Sequence, residues 1–334
     1  MQIVKMESSL IPCFCRVAFR VPSNHAFQYL FMLIRFIWFY FLSCILLNAT
    51  PSLPEGVGVT RDPDPETPGI ESWFITSPYL KGTNRVEVLL PGNFDSHKTY
   101  PVVYCLPVNA GTKGNWGHPL TEAIRCGLAD RYQAIFVTPS FPVLPWYGNN
   151  PEDSLSREND HITKAVIPFI ESHYPVLDLH NVPSPTRSPS NYLIGFSKSA
   201  LGSLALFFNN PDKFRSVAVF ENWYGQPNDL QWNSWGFKEC YGSRENYDLY
   251  DPQLLITKHA AEFSAGPSRI TVLGGGPGPR VGVDQLMGLL RDKSVPHVEI
   301  WDRSMSHDWR SGWMSLAVAS LFAKPGDAPA PSKQ

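Results

Sequence analysis

The stretch Asn191-Tyr-Leu-Ile-Gly-Phe-Ser-Lys-Ser-Ala-Leu-Gly-Ser203 decides how this chain reads. A short apolar run ends at Gly195-Phe-Ser-Lys-Ser199, and an apolar helical run over residues 200–208 starts at once. This is the layout of a nucleophile elbow, a sharp strand-to-helix turn that lifts a serine hydroxyl above a sheet edge. Small residues are needed two places before and two places after the serine, because strand and helix backbones approach closely there. Gly195 meets the first need. Ser199 stands where a second glycine is usual, with Ala200 and Gly202 small beyond it. A Gly-x-Ser-x-small pattern arises by chance in about one chain in three of this length, so the flanking strand and helix carry the reading.

Working outward, Tyr100-Pro-Val-Val-Tyr-Cys-Leu106 and Ala134-Ile-Phe-Val-Thr138 are continuous apolar runs, as expected of strands covered on both faces. Further strands are expected at residues 73–79, 85–90, 191–196, 214–220, 270–273 and 297–301. The first two should be joined by a turn at Lys81-Gly-Thr-Asn84. Helical spacing appears at 120–128, 162–170, 283–290 and 311–322. Two antiparallel strands followed by alternating strand and helix predict an α/β fold, a mostly parallel central sheet with helices on both faces. In such sheets the reacting groups collect at the carboxyl ends of the strands.

The ends of the chain read differently. Residues 29–47 are almost wholly apolar, interrupted by Arg35, and suit a signal-peptide core better than a full span of ~20 residues. Residues 1–49 are therefore expected to be a signal peptide or membrane anchor, with translation starting at Met32. An exported or membrane-anchored protein follows, with a membrane tether through this segment. Residues 50–70, with Pro51, Pro54, Pro63, Pro65 and Pro68, read as a Pro-rich linker. The main folded domain is then expected to span 71–323, and 324–334 to form a disordered tail. A net charge of -2 gives no electrostatic case for nucleic acid. The 6 cysteines show no metal spacing, so neither a metal nor another cofactor is implied.

The loops after the strands carry the candidate chemistry. A serine hydroxyl needs an imidazole as general base, and His307 is the one histidine after the last strand and before the last helix. His297 opens a strand and reads as structural. His97, His118, His161, His173, His180 and His259 are expected in solvent. An acid must fix the imidazole tautomer. The loop Gly274-Gly-Gly-Pro-Gly-Pro-Arg280 holds none and reads as a turn, so the candidates are Glu221, at the end of the neighbouring strand, and Asp284 in the following helix, with Glu221 favoured. The backbone N–H of Lys198, with that of Val108 or Asn109, would face a developing oxyanion. Trp146 and Tyr147 are candidate substrate-binding side chains, on a loop expected to overhang the elbow. Trp223, Tyr224, Trp232, Trp235 and Phe237 lie in a second aromatic loop.

Tyr100-Pro-Val-Val-Tyr-Cys-Leu-Pro107, Val166-Ile-Pro-Phe-Ile-Glu-Ser-His-Tyr174, Gly195-Phe-Ser-Lys-Ser199, Tyr241-Gly-Ser-Arg-Glu-Asn-Tyr247 and His307-Asp-Trp-Arg-Ser-Gly-Trp313 occur in that order. With these pieces the chain resembles the esterase D-like putative esterase family of α/β-hydrolases. That family includes S-formylglutathione hydrolases, feruloyl and acetyl-xylan esterases and mycobacterial mycolyltransferases. The resemblance implies an α/β-hydrolase fold, Ser197 as nucleophile and His307 as base. Departures are Ser199 at the second elbow glycine, the missing acid after residues 270–273, and Glu221 where many relatives have only small residues. The expected function is a serine carboxylic-ester hydrolase acting through an acyl-enzyme on small-molecule, carbohydrate or aryl esters. An acyltransferase of the same fold and a non-catalytic exported glycan-binding protein are the alternatives.

Overall fold

The computed structural model describes residues 52–111, 114–177, 189–222, 226–275 and 280–323. Among the described residues nine strands form one sheet: β1 (Gly58–Arg61), β2 (Glu71–Ser77), β3 (Leu80–Leu89), β4 (Val102–Leu106), β5 (Ile135–Pro139), β6 (Asn191–Phe196), β7 (Phe214–Phe220), β8 (Ile270–Gly274) and β9 (His297–Trp301). Their spatial order is β1-β2-β3-β5-β4-β6-β7-β8-β9. Pairs from β1 through β3 to β5 are antiparallel, and every pair from β5 to β9 is parallel.

The helices, in chain order, are α1 (Pro119–Arg125), α2 (Leu128–Tyr132), α3 (Glu158–His161), α4 (Ile167–His173), α5 (Lys198–Asn209), α6 (Asp229–Ser234), α7 (Phe237–Tyr241), α8 (Arg244–Tyr247), α9 (Pro252–Ser264), α10 (Arg280–Asp292) and α11 (Trp313–Leu321). Chain leaving β4 crosses to β5 on one side and then to β6 on the other, so helices cover both faces. The strand residues show it. Val102, Tyr104 and Leu106 enter the core shared with α4, α5, α9 and α10, whereas Val103 and Cys105 enter the core shared with α1, α2 and α11. Alternate side chains of one strand feed two cores, which is why β4 has no polar face.

Several local expectations are corrected. The hairpin turns at Pro78-Tyr79, with Ser77 paired to Leu80, and Lys81-Gly-Thr-Asn84 lies within β3. Proline suits a turn because it has no N–H for the ladder. The Pro-rich segment is not a free linker: Gly58–Arg61 pairs with β2. Beyond it Asp62 is buried, accepting a hydrogen bond from Ser72 Oγ (2.9 Å) and lying 3.2 Å from Arg85. A charge and backbone pairing dock this segment, so no apolar periodicity marks it. The helix expected at 162–170 starts earlier and passes from α3 through a π-helical turn, Ile162–Val166, into α4. Pro168 cannot donate to the carbonyl four residues back, and the wider turn accommodates its ring.

Two histidines expected in solvent are buried. His118 caps α1, its Nδ1 accepting from Thr121 N (3.2 Å) while Nε2 lies 2.8 Å from Glu87. His161 is fully buried with Nδ1 2.9 Å from Ser77 Oγ. The localisation expected from the sequence is also corrected: among the described residues no helix is long and apolar enough to cross a membrane. The apolar segment 29–47 behind that expectation lies outside the described residues, as do His180, the tail 324–334 and most of the Gly274–Pro279 turn.

Burial pushes the His161 imidazole down to about 4, below the ~6.5 of an unfolded chain. The unfolded state therefore binds the extra proton first, and the stability contributed by the neutral ring is complete above pH ~6.5 and lost as the pH falls toward 4. We expect denaturant unfolding to show stability falling across that window. In His161→Gln the fall should shrink by up to about 3 kcal/mol.

Candidate active site

The carboxyl ends of β4, β6, β7 and β9 lie along one edge of the sheet, and the loops that follow them meet there. The ladder continues one residue past two of these strands: Ser197 N donates to Phe220 O (2.9 Å) and Glu221 N to Leu273 O (3.1 Å). Both residues then turn away with positive φ, 55° at Ser197 and 48° at Glu221. That region strains an L-residue by about 1–3 kcal/mol, and here it points two side chains off the sheet edge toward a common point.

Gly195 makes the elbow possible. A Cβ there would lie 2.4 Å from Ser203 Oγ, 2.5 Å from Ser199 O and 2.7 Å from Ala200 Cα. Ser199 fits in place of the second glycine because its hydroxyl is consumed inside the turn, donating to Phe196 O (2.8 Å) and accepting from Phe196 N (2.9 Å).

His307 bridges the two strand ends. Its Nε2 lies 3.0 Å from Ser197 Oγ and its Nδ1 3.1 Å from Glu221 Oε2. An ionised carboxylate only accepts, so Nδ1 carries the proton and Nε2 is left to accept from the serine hydroxyl. Glu221 is 1 % exposed and His307 21 %, so the acid is sealed beneath a ring that still reaches solvent. Asp284, the other candidate acid, is exposed on α10, and Glu221 holds the imidazole instead.

The tryptophans after His307 set its loop. Trp313 stacks on Phe220 (centroids 4.6 Å, 14°), and Trp309 packs edge-on against Phe196 (5.4 Å, 63°). Trp313 Nε1 donates to Asp308 O (3.0 Å). Both rings are buried, so the segment between β9 and α11 is clamped to the ends of β6 and β7. From the loop after β4, Trp116 meets the His307 ring edge-to-face at 5.1 Å, and its carbonyl accepts from Trp309 N (2.9 Å). No strand period or motif in the sequence pointed to that contact.

Lys198 opens α5, and an amide at that position has no acceptor within its own helix. It is directed by the same positive helix end that favours anions. Val108 is buried and Asn109 half-buried in the loop after β4, whose Pro107 carbonyl is tied down by the Tyr147 hydroxyl. Trp146 and Tyr147 do not offer open faces to a substrate. Trp146 is buried against Phe237 (3.8 Å, 28°), and Tyr147 is fully buried against Phe141 (5.3 Å) and over Gly202. Exposed apolar side chains in these stretches are instead Trp116, Val143, Leu144, Leu230, Trp235 and Leu249. Trp223 and Tyr224 lie outside the described residues, whereas Trp232 and Phe237 are buried in the cap.

The model of the family described as "Putative esterase" matches residues 77–265, more than half of the chain. Ser197 and Glu221 fall inside that stretch, and His307 beyond it. Among solved structures, a ferulic acid esterase superposes with a TM-score of 0.58 at 19% identity, covering 80% of this chain and 99% of its own. An S-formylglutathione hydrolase from Agrobacterium tumefaciens gives 0.57 at 15% identity, covering 78% and 98%. The fluorophosphonate-binding serine hydrolase F of Staphylococcus aureus gives 0.58 at 16%, covering 76% and 98%. At these identities the likeness is one of fold, and it is the α/β-hydrolase fold.

The elbow generates a test of its own. Gly195→Ala must displace backbone as well as a hydroxyl, so it should cost about 1–3 kcal/mol, read as a lower unfolding midpoint.

Proposed function

The chain belongs to this esterase family, and on that premise we propose that it is a serine carboxylic-ester hydrolase with Ser197 as nucleophile, His307 as general base and Glu221 as the acid. The observation that carries the reading is the unbroken run of hydrogen bonds from Ser197 Oγ through His307 to Glu221. The narrower esterase D-like assignment is part of the same proposal and rests on the motif order.

In this reading Ser197 Oγ attacks the ester carbonyl carbon and its proton passes to His307 Nε2. The carbonyl oxygen takes the negative charge and is met by the backbone N–H of Lys198 and of Val108 or Asn109. Glu221 keeps the imidazole in the Nδ1–H tautomer and offsets its charge. Collapse breaks the ester C–O bond, the alcohol leaves with the proton from Nε2, and an acyl group remains on Ser197. Water then repeats the sequence, releasing the acid and restoring the serine.

The exposed Trp116, Val143, Leu144 and Trp235 favour an ester whose acyl or alcohol part is apolar or flat, such as an aryl or carbohydrate ester. The contact of Glu221, one strand over from β8, with His307 supports the hydrolase reading over a non-catalytic glycan-binding protein.

A fluorophosphonate probe tests the reading. We expect wild-type protein to be labelled and Ser197→Ala to be unlabelled; a folded wild type that stays unlabelled contradicts it. Glu221→Gln should retain the fold and lose about 10⁴-fold in kcat, by analogy with removing the acid of a serine triad, with KM for a p-nitrophenyl ester little changed.

A further inference from the structure

The loop that overhangs the elbow is fastened by buried polar bonds that the reaction above does not use. Glu158, at the start of α3, is 2 % exposed, and its Oε2 accepts from Trp146 N (2.7 Å) and Tyr147 N. Cys240 Sγ lies 3.6 Å from the same oxygen. Lys198, the residue after the nucleophile, donates from Nζ to Pro145 O and holds its ammonium 4.9 Å from the Trp146 ring centroid. Burial pushes the Glu158 carboxyl up and the Lys198 ammonium down, and the opposite charge of each counteracts the other's shift. Two ionisable groups are thus placed in a largely desolvated site, at a cost that calls for a reason.

What they hold is a strained backbone. Tyr147 has φ 65°, in the left-handed region that a bulky residue rarely occupies. Two amides converging on one carboxylate oxygen stabilise that conformation. Its ring lies on Gly202 of α5, where a Cβ would come within 2.0 Å of Tyr147 Cδ2. Its hydroxyl donates to Pro107 O, one residue before Val108 and two before Asn109. The two sides of the oxyanion site, Lys198 on α5 and the loop after β4, are therefore joined through Tyr147.

We propose that Glu158 and Tyr147 are positioning residues for the oxyanion hole: Glu158 sets the backbone of the 145–147 loop, and the Tyr147 hydroxyl transmits that setting to the amides after Pro107. The inference rests on the hydrolase reading above. Both side chains are buried, which leaves neither of them a face to offer a substrate. Their effect falls on the step in which the carbonyl oxygen becomes charged, because donor placement matters most there.

The test is Tyr147→Phe, which keeps the ring against Gly202 and Phe141 and removes only the donor to Pro107. Its fluorophosphonate labelling rate and its kcat on p-nitrophenyl acetate should both fall about tenfold, less than the ~10²-fold or more that loss of an oxyanion donor itself costs. KM and the pH midpoint of kcat/KM should stay at the wild-type values, since His307 and the binding surface are untouched. A purely structural hydroxyl would lower the unfolding midpoint and leave these rates alone. Folded Tyr147→Phe reacting at the wild-type rate overturns the inference while leaving the hydrolase reading intact; wild type that neither labels nor turns over overturns both. Should Tyr147→Phe not fold, Glu158→Asp asks the same question. It retains the charge but draws the carboxylate back by one methylene, and the same loss or retention of rate decides.

Discussion

His307 is held between the ends of two adjacent parallel strands, and the rest of the site depends on that placement. The serine hydroxyl on one side and the carboxylate on the other are 3.0 and 3.1 Å from its two ring nitrogens. Their positions are set by sheet hydrogen bonds, Ser197 N to Phe220 O and Glu221 N to Leu273 O. The register of β6, β7 and β8 therefore governs the geometry of the proposed triad. A one-residue slip would turn every alternate side chain to the other face, and the two apolar cores oppose such a slip from both sides.

Strain marks the same region. Among the described residues five non-glycine positions have positive φ, and three of them, Tyr147, Ser197 and Glu221, belong to the site or to the loop above it. Each is held by bonds from a neighbouring element: the ladder for Ser197 and Glu221, the Glu158 carboxylate for Tyr147. The Trp309 and Trp313 clamp performs the same task by packing, since stacked rings fix the His307 loop where a strand pairing cannot reach. Rigid supports of this kind are what electrostatic stabilisation of a transition state needs, because donors that must reorganise lose most of their effect.

Much of this arrangement could be read from residue patterns, and the failures have physical reasons. The parallel strands announced themselves because burial on two faces leaves unbroken apolar runs, as in Val102–Leu106. Gly195, Ser197 and His307 were legible because a close backbone approach and a loop after the last strand are local features. The place of Glu221 beside His307 was legible because it is the carboxylate nearest a strand end. The pair Glu158 and Lys198 was not: Glu158 sits in a stretch without informative period, Lys198 was read only for its backbone amide, and the fold alone brings the two side chains together. Nor did the pattern reveal that Gly58–Arg61 pairs with β2, since a short edge strand followed by a buried charge carries no apolar alternation. Trp146 and Tyr147 drew attention as aromatic rings and turned out to be buried supports. Exposure, unlike residue type, is a property of the fold.

The central claim is that the Ser197 hydroxyl carries an acyl group between substrate and water. Intact-protein and peptide mass spectrometry of enzyme mixed with p-nitrophenyl acetate and quenched in acid within the first turnover tests it directly. The account predicts one acetyl group, on the peptide that contains Ser197, decaying as free acetate appears. Ester consumed by folded protein with no adduct at Ser197, or with the adduct on another residue, would contradict it.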